Sequence, residues 1–243
     1  MEKLSNEMEK RFRDLEENLK VIRDGISEAA VKSGRSPQDI TLLAATKTVP
    51  VELINHGISL GIDHIGENRV QELCEKYPSY ALSNCALHFI GHLQTNKVKN
   101  LIGKVQMIQS VDSVKLASEI SRLSEKQGIA TDVLVEVNIG AEENKSGVST
   151  EELYDLIPQI AAFQGVRVRG LMAIPPAGAD ERETMGYFSK MYKYFVDIKA
   201  KKIDNVTMDF LSMGMSSDYG QAILAGSNMV RVGSALFGPR IYQ

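Results

Sequence analysis

Eight short apolar runs, separated by helical or polar stretches, constrain this 243-residue chain more than any other feature. They occupy residues 40–46, 64–66, 86–91, 105–110, 132–138, 166–174, 207–211 and 229–232. Several are rich in Val and Ile without polar alternation, the pattern of parallel strands buried on both faces. Residues 114–127 and 150–163 between them read as crossover helices. An eight-stranded (β/α)8 TIM barrel explains the count, and such barrels commonly fill this length as one unit. The alternative, an open doubly wound sheet, would carry G-x-G-x-x-G after an early strand, and none is present. With no linker, repeat or low-complexity segment, one domain is expected over residues 1–243.

Ahead of the first run, Leu4, Met8, Phe12, Leu15, Leu19, Ile22, Ile26 and Ala29 recur at steps of three and four among charged residues. That spacing predicts a long amphipathic helix within residues 1–33, ended by Gly34 and Pro37. Its stripe could serve a coiled coil or a partner. The favoured reading is a helix packed on its own barrel.

Composition excludes several function classes. A hydrophobic fraction of 43% with 24% charged residues rules out disordered and fibrous chains. A net charge of −3 gives no electrostatic reason to bind nucleic acid or an anionic membrane, and zero Trp leaves few stacking platforms. The N-terminal residues mix acids with bases around no apolar segment, so neither signal peptide nor membrane span is expected. Cys74 and Cys85 are too few for a disulfide framework and fit no common zinc spacing, which points to reduced thiols in the cytoplasm.

In a barrel the loops after the strands share the C-terminal mouth, where barrel enzymes keep their sites and grip phosphate after the last two strands. Lys47 ends the first run there, an amine able to form a covalent imine if partly desolvated. Ser212 follows the seventh run, and Gly233 with Ser234 follow the eighth, offering hydroxyls and unobstructed amides to phosphate oxygens. Arg231 lies between Val230 and Val232, so pleating turns it toward the barrel interior. There it would meet either a structural ion partner or the pyridine nitrogen of a cofactor, which a permanently charged guanidinium would keep unprotonated. Together the two ends of the chain suggest a pyridoxal phosphate site.

Other polar groups carry simpler readings. His88 and His92 are four apart but straddle Gly91, with His88 in a strand, so their rings need not share a face and no metal site is expected. Glu142, Glu143, Glu151 and Glu152 surround a helix start at which Ser149 or Thr150 serves as cap. Most of the methionines are core fillers.

The segments Ala45-Thr-Lys47-Thr-Val-Pro50, Ile65-Gly-Glu-Asn68, His88-Phe-Ile-Gly-His-Leu-Gln-Thr-Asn-Lys97, Leu211-Ser-Met-Gly-Met-Ser216 and Arg231-Val-Gly-Ser-Ala-Leu-Phe-Gly238 stand in the order found in the pyridoxal phosphate homeostasis protein family, which the chain closely resembles. The resemblance implies a barrel like the N-terminal half of alanine racemase, with pyridoxal 5′-phosphate linked to Lys47. It implies phosphate contacts from Ser212, Gly233 and Ser234, Asn68 and Met213 along the cofactor, and Arg231 at the pyridine nitrogen. Ser234 stands where threonine is expected, which keeps the hydroxyl, and Arg69 where an aromatic residue or lysine is frequent.

Racemisation needs two acid/base groups on opposite faces of the substrate Cα, and Lys47 supplies one. In the racemases the second is a tyrosine from a further domain, whereas this chain ends at Gln243. The expectation is therefore a monomeric carrier that holds the cofactor and delivers it to pyridoxal phosphate-dependent apo-enzymes, with no catalytic residue and no metal. The rivals are a fold type III racemase or transaminase, and a cofactor-free aldolase-type lysine enzyme.

Overall fold

The computed structural model describes residues 2–142 and 145–239. Eight parallel strands, β1 (Thr41–Ala45), β2 (His64–Glu67), β3 (Ala86–Phe89), β4 (Met107–Val111), β5 (Thr131–Val137), β6 (Val166–Ala173), β7 (Val206–Ser212) and β8 (Met229–Val232), pair in sequence order and close where β8 meets β1. Each apolar run of the sequence is one of these strands, with ends within two residues of those expected. Helices α2 (Val51–Ser59), α3 (Val70–Lys76), α4 (Val114–Lys126), α5 (Leu153–Ala161), α6 (Glu181–Ala200), α7 (Tyr219–Leu224) and α8 (Ser234–Phe237) follow strands, and a 3-10 segment, Thr95–Asn100, covers the β3–β4 crossing.

Pleating divides the apolar residues into two layers. Ala44, Ile65, Leu87 and Val133 join the large core between strands and helices. Leu43, Ile90 and Met229, and separately Met107, Leu134 and Met172, fill the barrel interior, with Phe210 touching both groups. Toward the N-terminal ends of the strands, Arg169 bridges Asp132 at 2.6 Å and Asp209 at 2.8 Å and stands over the Phe210 ring. These groups plug the floor, leaving the opposite mouth for chemistry.

Helix α1 (Glu2–Lys32) buries Leu15, Leu19, Ile22, Ile26, Ala29 and Ala30 against α2, α7 and α8. The helix after β8 has four residues, too short to cover the seam between β8 and β1, and α1 fills that place. Asn18 Nδ2 donates to Leu236 O at 3.1 Å, and Arg23 donates to the carbonyls of Leu60 and Gly61 at 3.2 and 2.9 Å. The amphipathic stripe is thus consumed by the barrel itself; Leu4 and Glu143 lie outside the described side chains. One start differs from expectation. Ser149 Oγ accepts from the Glu152 amide in a turn, and α5 begins only at Leu153 with Glu152 as its N-cap, so neither Ser149 nor Thr150 caps the helix.

Candidate active site at the barrel mouth

Lys47 leaves the end of β1 between two residues that are tied down. The Thr46 amide donates to Gly66 O at 2.9 Å, its hydroxyl donates to Glu67 Oε1 at 2.7 Å, and its carbonyl accepts from Lys76 Nζ at 3.0 Å. Thr48 adopts φ 63°, a left-handed conformation that costs a β-branched residue energy, and its amide donates to Glu72 Oε1 at 2.5 Å. The chain turns sharply toward α2 there, so Lys47 projects from a rigid corner and is half-buried.

Glu67 organises this corner. It is fully buried, and its Oε1 also accepts from Tyr80 Oη at 2.8 Å and Lys76 Nζ at 3.0 Å. Burial, then the charge of Glu67, raises the Tyr80 phenol above its ordinary range, so it stays a donor. Lys76 engages all three of its N–H groups, the third with Glu72 Oε1 at 2.5 Å. Three partners hold this amine in place beside Glu67.

Gly233 and Ser234 start α8. The amides of Gly233 and Ala235 both donate to Ser216 Oγ at 3.2 Å, which ties the loop after β7 to the start of α8. A Cβ at Gly233 would stand 3.2 Å from Ala45 O, tighter than side chains normally pack, so glycine keeps this corner open. Lys47, Gly233 and Ser234 line one cavity of about 620 Å³, together with Arg69, Glu72 and Lys76.

The remaining expected residues do not line this cavity. Arg231 is 5% exposed and sits two residues before Gly233 on β8, roughly 7 Å deeper by strand rise. Its Nη1 donates to Ser212 Oγ at 2.7 Å and its Nη2 to Ala173 O at 3.0 Å. Burial lowers its pKa to about 10, against the attraction of Glu136, so it remains a cation. Ser212 is fully buried, and its hydroxyl donates to Gln109 Oε1 at 2.7 Å. It therefore stands with Arg231 and apart from the amides of α8; Ser216 is the serine of that loop which reaches them. Met213 is buried in the outer core, its amide bonded to Met229 O. Asn68 lines a neighbouring cavity of about 690 Å³ that shares Arg69, Gln71 and Glu75 with the first. Its Oδ1 is buried without a hydrogen-bond partner among the described residues.

Glu136, inside the barrel on β5, was missed by sequence reasoning. Burial, then the charge of Asp112, raises its pKa to about 7, with Arg231 pulling the other way. His88 is inside the barrel, whereas His92 is exposed and meets Ser146 Oγ at 3.0 Å. Among the described residues no three His, Cys, Asp or Glu side chains group as metal ligands. Among the described residues no helix is long and apolar enough to cross a membrane.

A closed barrel with a lysine at the end of its first strand and an amide-lined corner after its last defines a class, the alanine racemase N-terminal-type barrels. The family described as alanine racemase, N-terminal domain, matches residues 15–240. Within that class the chain belongs to the pyridoxal phosphate homeostasis protein family. It is 42% identical over 226 residues to the pyridoxal phosphate homeostasis protein of Aquifex aeolicus, covering 93% of this chain and 98% of that one. Against the Escherichia coli K12 protein of the same name the identity is 38% over 233 residues, covering 95% and 98%. PipY of Synechococcus elongatus, solved with PLP bound, superimposes with a TM-score of 0.77 at 32% identity, covering 88% of this chain and 100% of PipY.

Proposed function

We propose that this chain binds pyridoxal 5′-phosphate covalently at Lys47, and that it holds the cofactor and delivers it to pyridoxal phosphate-dependent apo-enzymes without robust turnover of its own. The observation that carries this reading is the cavity lined at once by the Lys47 amine and by Gly233 and Ser234, in the size range of small-molecule sites. The donor set fits a phosphorylated aldehyde. Gly233 and Ala235 offer amides, and Ser216 and Ser234 offer hydroxyls, to a phosphate.

When bound, the cofactor supplies an electron-withdrawing ring conjugated to the carbon that carries the amine. The rest belongs to the protein. Thr46 and Thr48 orient Lys47 through their bonds to Glu67 and Glu72. Arg231 would donate to the pyridine nitrogen and, being charged, would oppose its protonation, which favours holding over catalysis. Asn68 would supply an acceptor along the cofactor, and Met213 packs the end of β7 into the outer core. We take the whole chain as a single domain, acting as a monomer in the cytoplasm. The free Cys74 and Cys85 accord with a reducing compartment.

Borohydride reduction followed by peptide mass mapping tests the reading. A reduced adduct is expected on Lys47, and Lys47→Ala should abolish it while melting is retained. An adduct of wild-type yield in that variant would move the anchor elsewhere. Glu136, a carboxyl able to exchange a proton near neutral pH, supports a second reading as a fold type III racemase or transaminase. Deuterium wash-in at the Cα of alanine separates the two. Exchange at about 1 per second or faster, the low end of ordinary enzymes, would favour the enzyme.

A further inference from the structure

We propose that Gln109 is a positioning residue for the cofactor ring, acting through Ser212 to hold the Arg231 guanidinium in one orientation inside the barrel. This rests on the reading of Arg231 as donor to the pyridine nitrogen.

The chain of contacts is buried from end to end. Arg231, Ser212, Gln109 and His88 are at most 5% exposed. Its hydrogen-bond directions follow from one fact: an arginine has donors and no acceptor. Ser212 Oγ must therefore accept from Arg231, which leaves its single proton for Gln109 Oε1. That fixes the Gln109 amide with its oxygen toward Ser212 and its nitrogen toward His88 Nδ1 at 2.9 Å and Met229 Sδ at 3.2 Å. His88 then accepts at Nδ1 and carries its proton on Nε2. Each polar atom of Gln109 is engaged.

A long guanidinium inside a barrel has another carboxylate to turn to. Glu136 is close enough for its charge to act on Arg231, yet among the described residues no ion pair joins them. What holds Arg231 instead is Ala173 O on β6 and Ser212 on β7, the latter locked by Gln109 on β4. Three strands thus fix two guanidinium nitrogens, and the remaining N–H groups can be presented in a set direction. Pre-organisation of this kind lowers the ordering cost of binding.

The test uses full-length protein loaded with ¹⁵N-labelled pyridoxal 5′-phosphate, and compares Gln109→Met, Ser212→Ala, their combination and Arg231→Met. The readouts are the ring-nitrogen resonance, cofactor retention and melting of the apo-protein. Gln109→Met and Ser212→Ala should each move the resonance toward that of free cofactor and weaken retention roughly tenfold, a share of one hydrogen bond to a charged group. Phosphorylated and unphosphorylated ligand should weaken equally, because the phosphate end is untouched. Elements in series do not add, so the double variant should match the worse single. A resonance unmoved in Ser212→Ala while Arg231→Met shifts it would overturn the role of the chain. So would additive effects of the two single changes. If Gln109→Met fails to fold, Ser212→Ala, a far smaller change, decides alone. A resonance unmoved by Arg231→Met would instead remove the underlying assignment of Arg231.

Discussion

Glu67→Ala would remove the acceptor on which the corner around Lys47 converges, and its cost can be worked out contact by contact. Lys76 would lose its buried counter-charge; breaking such a pair costs about 3–5 kcal/mol. Here the lower end applies, because Lys76 keeps Glu72 and Thr46 O and its side chain is 13% exposed. Thr46 Oγ1 retains Gly66 O at 3.2 Å, but the Tyr80 hydroxyl loses the carboxylate to which it donates, adding roughly 1 kcal/mol. The total of about 4 kcal/mol lowers the melting temperature by roughly 8–16 °C in a chain of this length. Glu67→Gln keeps an acceptor but places an amide where Oε2 has no partner, for about 1–3 kcal/mol. Combining Glu67→Gln with Lys76→Met should cost less than the sum, since the charge and its counter-charge leave together. Thermal and urea unfolding of the set provides the measurement. If Glu67→Ala fell within about 1 kcal/mol of wild type, or Glu67→Gln were no milder than Glu67→Ala, Glu67 would not be the keystone described.

Two further outcomes are expected. The Glu136 pKa of about 7 lies above its ordinary value, so the folded state holds a proton that the unfolded chain releases. Its contribution is complete at low pH and is lost as pH rises through 7, about 3 kcal/mol across the interval. Glu136→Gln should therefore gain on wild type in melting temperature from pH 5 to pH 8. His88, lowered to about 3 by burial and His64, acts in the opposite sense in both proteins and cancels in the difference; a constant gap between the two proteins across that range would refute the assignment. At the other end of the site, Ser216→Ala with Ser234→Ala should weaken retention of pyridoxal phosphate about 100- to 10,000-fold more than of pyridoxal, at about 1.5–3 kcal/mol for each of two charge-assisted bonds. Equal weakening of both ligands would locate the phosphate elsewhere.

The barrel was legible because its strands are short, apolar and regularly spaced, and burial on both faces leaves little freedom in how such runs pair. That Lys47 stands at the end of β1 and that Arg231 faces the barrel interior follow from strand position and pleat. Ser212 was set with the phosphate because a serine at a strand end looks like a loop serine; strand β7 extends through Ser212, which turns it inward, while Ser216 four residues later meets the amides. Gln109 and Glu136 did carry a signal. Each is a large polar residue within a strand run, and such a group cannot face the outer core without a partner, so it must line the interior. The corner around Glu67 and Lys76 was beyond reading, because it joins β1, β2, α3 and the segment after it through contacts that no local pattern encodes.

The way α1 covers the seam has a topological consequence. Arg11 borders the mouth cavity beside Phe237 and Pro239, while the far end of α1 reaches Pro37 ahead of β1 at the floor. It descends from mouth to floor as a crossover helix does, and so acts as the eighth helix of the barrel supplied from the wrong end of the chain. A circular permutant that opens near Ser36 and joins Pro239 to Arg11 through a short linker would give the regular order of eight strand–helix units, with every interface of the seam preserved.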